Sequence, residues 1–258
     1  MVKRILLVAS GLALVATFAS AQGFELEGRY WPANLTAIVR VTGDHAEVPE
    51  DLSTIDLKDD LGLKDKNLKD WRLTLFTGPN SRLRVAYVKM DYSADQEVTR
   101  TIVFNGQPYT VGTRVLTKLN LDYWRYGWVW EFVGGRSSKV SFGTLLEAKS
   151  IAVDAALSAP EVAPPVNEKK KFSATVPTVG LVLDINPSQA LNIFAEASGM
   201  SWGDRGHAVD GEAGLKLVLG SHLVLTGGYR YFDLEVKDKP DFAQLKNSGP
   251  FVGAALRF

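Results

Sequence analysis

Apolar and polar residues alternate with a period of two along most of this chain. Within residues 24–30, Phe24, Leu26 and Tyr30 fall on one side, whereas Glu25, Glu27 and Arg29 fall on the other. Successive side chains of a β-strand point to opposite faces, so such a segment predicts a strand with one apolar and one charged face. Similar segments follow at 71–75, 82–87, 118–123, 141–149, 179–185, 191–196, 209–217, 223–231 and 252–258. The pattern therefore predicts an all-β chain, and we expect ten strands.

The connections between these strands alternate between short and long. Short, turn-forming connections lie at 78–80, 134–136, 186–188 and 220–221. Longer ones lie at 43–67, around 105–106, at 158–171, at 203–206 and at 238–248. Short turns at one end and longer loops at the other are typical of an antiparallel transmembrane β-barrel, whereas strands of a soluble sandwich are usually about 5–6 residues long. Segment 126–157 can be divided in more than one way, so eight or twelve strands remain open.

The N-terminal residues have the pattern of a secretory signal. Lys3 and Arg4 precede an apolar run at 5–18, and small residues occupy 19–21, so we expect a signal peptide at 1–21 and a barrel domain at 22–258. The apolar run is shorter than the roughly 20 residues that a membrane-spanning helix needs. The chain has 29 basic and 29 acidic residues and no Cys. This balance argues against a nucleic-acid partner, and the lack of Cys excludes disulfides.

Aromatic residues cluster toward the ends of the predicted strands. Tyr and Trp prefer the boundary between membrane and water, so we expect them to form belts there. The residues concerned are Tyr30, Trp31, Tyr123, Trp124, Tyr126, Trp128, Trp130, Tyr229 and Tyr231. Asp233 and Glu235 continue the register of the last two tyrosines, which predicts either a bulge near Phe232 or a position above the membrane.

The segment "GPFVGAALRF" at 249–258 resembles the C-terminal strand of bacterial outer-membrane β-barrel proteins. Its alternating residues Val252, Ala254, Leu256 and Phe258 match the assembly signal of that strand. "GYRYFDLEV" at 228–236 and "IDLKDDLGL" at 55–63 are similar to segments of uncharacterised small proteobacterial barrels. The resemblance implies a protein of the Gram-negative outer membrane that the barrel assembly machinery recognises. We also expect a monomer that contacts membrane lipid and lipopolysaccharide, the latter through phosphates bound by the lysine-rich loop at 158–171.

The polar faces of the predicted strands would line the interior of the barrel. Acidic and basic residues are nearly balanced there, and buried ions need partners at hydrogen-bonding distance, so we expect a cross-linked lumen charge network. Its predicted members are Glu25, Glu27, Arg29, Arg72, Arg82, Arg84, Lys118, Asp122, Glu147, Lys149, Asp184, Glu196, Asp210, Glu212, Lys216, Arg230 and Arg257. Small barrels are nearly filled by side chains. We therefore expect a mostly closed lumen and a structural or surface-interaction role; a narrow channel for small solutes or ions is the alternative.

Enzymatic function is the less favoured hypothesis. Omptin-type proteases also use ten strands, with Asp pairs and an Asp–His pair at the rim, and this chain offers Asp59, Asp60, Asp204 and His207. Their spacing differs from the omptin motif, so we predict no catalytic residues. The segment at 56–65 lacks the alternating oxygen ligands of a calcium loop, and the glycine-rich stretches lack phosphate-loop spacing. We expect neither a metal nor a cofactor.

Overall fold

A closed antiparallel barrel of ten strands forms the body of the protein. The structure is a computed structural model that describes residues 22–42, 49–162 and 165–258, so the predicted signal peptide at 1–21 lies outside the described residues. The elements in chain order are β1 (Phe24–Arg40), α1 (Glu50–Ser53), β2 (Thr54–Asp56), β3 (Lys66–Phe76), β4 (Ser81–Glu97), β5 (Ile102–Phe104), β6 (Gln107–Tyr109), β7 (Arg114–Val133), β8 (Val140–Ala159), β9 (Val166–Ile185), β10 (Leu191–Ser201), a 3-10 helix (Gly203–Arg205), β11 (Gly206–Leu219), β12 (Leu223–Asp238) and β13 (Asp241–Arg257).

Each long strand pairs with the long strand that follows it, and β13 closes the barrel against β1. The three short strands stand apart from this wall: β2 pairs with the end of β1, whereas β5 and β6 form a separate hairpin. Asn105 and Gly106 both have positive φ, of 51° and 79°, as the two-residue turn of such a hairpin requires. The predicted fold class and the predicted ten barrel strands are confirmed.

The two ends of the barrel differ, as the connection lengths predicted. The turn end carries the connections at 77–80, 134–139, 186–190 and 220–222, together with Phe24 and Phe258. The loop end carries the longer connections. Two predicted loops are mostly strand: β8 pairs with β9 up to Ala159 and Val166, and β13 begins at Asp241. The lysine-rich start of β9 is held by backbone pairing to β8 and by an ion pair of 2.9 Å between Lys171 and Asp154.

Along the strands, the apolar residues change from the outer side of the wall to the inner side, although the alternation of inward and outward positions continues unbroken. On β7, Trp124 and Tyr126 are exposed outward, and Asp122 on the same face is also exposed, whereas Tyr123 and Leu121 between them are buried inward. The outside of the barrel is therefore apolar toward the turn end and polar toward the loop end. Residues on the inside follow the opposite order. A barrel that passes from lipid into water has this arrangement, because its outer face meets first one solvent and then the other.

The same inversion explains Asp233 and Glu235. The pairing of β11 with β12 is continuous from Gly206 to Leu219, so there is no bulge at Phe232. Asp233 and Glu235 share the outward face of Tyr231, beyond the aromatic belt, while Phe232 is fully buried inside. Of the predicted belt residues, Trp31 and Tyr123 are also buried inside, at 1% and 0% exposure, because both lie one position out of phase with their outward neighbours.

The loop half of the barrel is filled by an apolar plug. The plug combines inward side chains of the wall with side chains from the connections at 49–65 and 98–113, and its larger members are Trp31, Leu35, Ile55, Leu57, Leu61, Leu63, Val88, Met90, Ile102, Phe104, Tyr109, Leu121, Tyr123, Phe232 and Leu234. Ile55, Leu57, Leu61 and Leu63 are 0–3% exposed. Within the described ranges, no helix has both the length and the apolar character that a transmembrane span requires.

Candidate functional site

An ionic layer crosses the barrel directly beneath the apolar plug. It contains the carboxylates Glu27, Asp70, Glu147, Glu196, Asp210 and Glu212 and the cations Arg29, Arg72, Arg84, Arg125, Lys149 and Arg230. These residues come from eight different strands, and each lies in the interior because it occupies an inward-facing position of its strand. Acids and bases are equal in number, so the layer is neutral as a whole.

The centre of the ionic layer is a set of shared carboxylates. Arg72 contacts Glu212 through two hydrogen bonds of 2.7 and 2.5 Å. Arg230 donates to Asp210 at 2.8 Å and to Asp70 at 2.8 Å, and Arg125 lies 3.3 Å from both aspartates. Bidentate and shared guanidinium–carboxylate contacts of this kind offset much of the cost of burying the charges.

A second group of contacts extends the ionic layer across β8 and β10. The Ser198 hydroxyl donates to Glu147 Oε2 at 2.6 Å and accepts a hydrogen bond of 2.8 Å from Lys149 Nζ. Arg84 joins this group to the centre through contacts of 3.2 Å with Glu147 and 2.8 Å with Glu196. Lys149 is completely buried, so its charge depends on these neighbours.

Aromatic rings join the ionic layer to the plug above it. The guanidinium of Arg230 lies 4.6 Å from the centre of the Trp31 ring, and that of Arg29 lies 4.5 Å from the Phe251 ring. The Tyr123 hydroxyl donates to Asp210 Oδ2 at 2.9 Å. The ions and the apolar residues therefore form one continuous packed interior.

The structure places 15 of the 17 predicted lumen residues inside the barrel, but Lys118 and Asp122 lie on the outer wall and are exposed. Both belong to the part of β7 beyond the aromatic belt, where the outward face meets water, so a polar residue there does not indicate the lumen. Three inward charges were missed, namely Asp70, Arg125 and Glu131. Asp70 lies two positions before the inward-facing Arg72, and Arg125 lies between outward-facing aromatic residues of β7. The period-two alternation of these strands could therefore have identified both as inward-facing.

A cavity of about 510 Å³ lies below the ionic layer at the turn end, and we call it the vestibule. Arg82, Arg84, Glu196 and Glu212 line its inner part, and the turns at 136–139 and 186–189 line its mouth. Arg82 is paired with Glu131 and, at 3.1 Å, with Asp184. Arg257 is paired with Glu25 at 2.6 Å.

At the loop end, Arg100 connects the segment at 98–113 to the segment at 49–65. Its guanidinium donates to Asp60 at 2.7 and 2.5 Å, to the carbonyl of Asp51 at 2.6 Å and to that of Thr54 at 2.7 Å. The hydrogen bond to Asp60 raises the pKa of Arg100. Burial of Tyr109 in the same region, with Glu168 nearby, raises its pKa to about 12. Both connections are thus held over the mouth of the barrel.

The residues considered for proteolysis do not come together. Asp60 is committed to Arg100, and Asp59 and Asp204 are exposed. His207 lies on the outer wall, where its ring nitrogens are 3.4 Å from Asp233 and 3.7 Å from Glu235. His222 at the turn end contacts the carbonyl of Arg257 at 2.9 Å. In the part of the chain that the structure describes, no group of three or more His, Asp or Glu residues could hold a metal ion.

Solved structures share this architecture. The outer membrane protease OmpT from Escherichia coli is 8% identical, with a TM-score of 0.50 over 93% of this chain and 97% of that chain. The chain is a β-barrel of the bacterial outer-membrane type. OprG from Pseudomonas aeruginosa is 11% identical with a TM-score of 0.46 (93% and 97% covered), and Ail of Yersinia pestis, solved with the heparin analogue sucrose octasulfate, is 11% identical with a TM-score of 0.41 (92% and 99% covered).

No family model and no curated protein matches the sequence. The barrel fold and its apolar outer belt support the predicted outer-membrane localisation. Likeness to OmpT at 8% identity shows the fold of this barrel but not its activity. The lipid-facing positions of β13 include Val252, Leu256 and Phe258, which are 62%, 49% and 59% exposed.

Proposed function

We propose that this outer-membrane barrel does not conduct and that its role is structural or surface-interacting. The observation that carries the proposal is the apolar plug, which fills the loop half of the barrel with fully buried side chains from the wall and from two connections. Ions cross an apolar constriction poorly because it offers no replacement for their hydration shell. The ionic layer beneath the plug adds a second barrier, because its charges already satisfy one another.

Planar-bilayer recording of the purified chain tests this proposal. We expect wild-type currents to be small and intermittent. Replacing Leu57, Leu61 and Leu63 with Ser should hydrate the plug and increase both the frequency and the size of openings. Exposed Leu217, Leu219 and Leu223 at the turn end provide a matched triple-Ser control that leaves the plug intact. Steady wild-type currents would refute the proposal; small unitary currents would favour the narrow channel, and large ones would favour a porin.

Proteolysis is the less favoured function for a geometric reason. General acid–base catalysis requires the groups to converge on one substrate position, whereas Asp60 binds Arg100 and His207 binds Asp233 and Glu235 on the outer wall. Incubation of the purified chain with a fluorogenic peptide library should show no cleavage above that of an Asp60→Asn, His207→Ala variant. Cleavage lost in that variant would revive the omptin-like hypothesis.

The surface partner that we propose is lipopolysaccharide, through its phosphate groups. Lys69 and Lys89 are directly opposite each other on the outward face of β3 and β4, just beyond Trp71 and Tyr87 of the aromatic belt. Like charges in such a pair repel each other; Asp91 contacts Lys89 at 3.0 Å and offsets part of this repulsion, and a phosphate near Lys69 would offset the rest. A groove of about 770 Å³ on the neighbouring outer wall also contains Lys66, Lys118 and Lys171, interspersed with Asp91, Asp122 and Asp154.

Native mass spectrometry with lipopolysaccharide checks this partner. The Lys69→Gln, Lys89→Gln double variant should retain less lipopolysaccharide than wild type, and dephosphorylated lipopolysaccharide should remove the difference. Lys139→Gln at the turn end is the control, because that side chain is exposed at the opposite end of the barrel. Equal retention by wild type and the double variant would contradict the proposal. As further parts of it, we propose that the barrel is a monomer and that the assembly machinery recognises β13.

A further inference from the structure

The vestibule has the size and shape of a ligand site. Its volume of about 510 Å³ lies in the range of small-molecule pockets. The ionic layer closes its inner end, so a molecule reaches it from the turn end, between the turns at 136–139 and 186–189. In an outer-membrane barrel the short turns face the periplasm. The vestibule is therefore a blind pocket that opens toward the periplasm.

The charges of the vestibule leave a positive surplus. Glu25 is paired with Arg257, while Glu131 and Asp184 share the single cation Arg82, so that group keeps one negative charge. Glu27, Glu196 and Glu212, which also line the cavity, belong to the ionic layer. Three lining cations, Arg136, Lys139 and Lys216, have no carboxylate at ion-pairing distance among the described residues.

Aromatic rings and polar side chains lie next to these three cations. The Arg136 guanidinium lies 4.6 Å from the centre of the Phe76 ring, and Lys216 Nζ lies 5.2 Å from that of Phe194. Arg136 and Lys139 come from the β7–β8 turn, whereas Lys216 is on β11, so the cations stand on different walls. Hydroxyl and amide groups also line the vestibule, together with apolar side chains; the polar residues are Ser137, Ser138, Ser188, Gln189 and Asn192, and the apolar ones include Val182, Leu191 and Val218.

We infer that the vestibule binds a small hydrophilic organic anion with at least two carboxylate groups. One carboxylate would meet Lys216 and another would meet the Arg136–Lys139 turn, so that both walls are used. Guanidinium and ammonium groups bind carboxylates through charge-assisted hydrogen bonds. An uncharged, lipid-like ligand does not fit this site, because it would leave the lining cations Arg136, Lys139 and Lys216 without water or a counter-charge.

Isothermal titration of the full chain in detergent micelles tests the inference, with citrate as the probe and sucrose as the neutral comparison. We expect saturable citrate binding that weakens with salt, and no sucrose binding. Lys216→Gln and Arg136→Gln should each weaken citrate binding about tenfold, the equivalent of one charge-assisted hydrogen bond. Lys118→Gln, on the outer wall, should leave it unchanged.

The exposed position of Arg136 protects the test from misfolding. Its variant leaves the ionic layer intact, and retention of the heat-modifiable band on SDS gels verifies that it folds. Absence of citrate binding at 10 mM (about a hundredfold above a typical 0.1 mM site) overturns the inference, as does equal binding by wild type and both variants. Conductance is measured separately, so failure here leaves the closed-barrel proposal standing and the reverse is also true.

Discussion

Arg230 lies at the junction between the ionic layer and the apolar plug. It is 1% exposed, donates to Asp210 and Asp70, and stacks on Trp31. Removal of the Arg230 side chain should lower the stability of the barrel, because the carboxylates that it contacts would stay buried without this partner. The pairing in the layer is mutual, so the loss of one cation leaves its neighbours with excess negative charge.

We predict that Arg230→Ala lowers the free energy of unfolding by about 3–5 kcal/mol, because it leaves Asp70 and Asp210 short of positive charge. Urea titration of the barrel in micelles, followed by tryptophan fluorescence, measures the change. Arg136→Ala is the matched control, since this arginine is exposed at the turn end and should alter stability little. Equal effects of the two substitutions would show that Asp70 and Asp210 do not depend on Arg230 for charge compensation.

Leu215 and Asn120 are both exposed on the outer wall, on opposite sides of the polarity inversion. Leu215→Arg should cost about 2–4 kcal/mol if its position is near the middle of the bilayer, because the charge would enter lipid. Asn120→Arg should cost almost nothing, because Asn120 is directly opposite Asp91 and Asp154 in the polar half of the wall. Measurement of the free energy of unfolding in lipid vesicles compares the two variants. Equal costs would mean that the membrane boundary does not lie between these two positions.

The strands and connections of the loop half depend on each other. The β5–β6 hairpin reaches the end of β1 through a hydrogen bond of 2.7 Å from the Asn105 amide to the Val41 carbonyl. The Asn105 side chain donates to Glu168 on β9 at 2.7 Å. Arg100 then ties the connection at 98–113 to the one at 49–65. These contacts turn two sequence-distant connections into one cover for the barrel.

Arg100→Ala should loosen this cover without disturbing the wall. We expect faster trypsin cleavage after Lys58 and Lys64, because the connection at 49–65 would lose its hydrogen bonds to Arg100. Gel analysis of timed digests gives the rates. Arg205→Ala is the control, since Arg205 is exposed in the 3-10 helix on another part of the rim. Unchanged cleavage would mean that the apolar contacts of Leu57, Leu61 and Leu63 hold the cover by themselves.

The barrel as a whole is closed by the seam between β1 and β13. Phe24 and Phe258 exchange backbone hydrogen bonds of 2.8 Å, and their rings stack with centres 5.0 Å apart. This seam joins the two most distant barrel strands of the sequence. Long-range pairing of this kind is slow because the entropy of closing the loop must be lost first.

Phe258→Ala should reduce the amount of barrel in the outer membrane more than it reduces the stability of the barrel that does fold. The expected cause is loss of the ring stack and of the aromatic that we propose the assembly machinery recognises. Membrane fractionation measures the amount, and urea titration measures the stability. Phe132→Ala removes another exposed aromatic, one with an edge-to-face ring contact, and should have less effect on assembly. Equal membrane levels for the two variants would contradict this role.

Local alternation determined the strands. The ten strands, the ends with short and long connections, and most inward charges follow from a period of two, because a strand that separates two environments must carry that pattern. Lys118 and Asp122 show the limit of the same rule. Their strand passes out of the membrane, the outside becomes wet and the inside becomes apolar, so the pattern keeps its period but exchanges its faces.

The tertiary structure determined which charged residues pair with each other and which residues form the apolar plug. Arg29 pairs with Glu212, 183 positions away, and only barrel curvature and strand register bring them together. The apolar residues at 55–63 read locally as a loop with some hydrophobic character, yet they are buried because the wall surrounds them. The vestibule likewise exists because the ionic layer closes one end of a tube that the turns leave open. None of these distances is encoded within a single strand, so sequence alternation alone could not supply them.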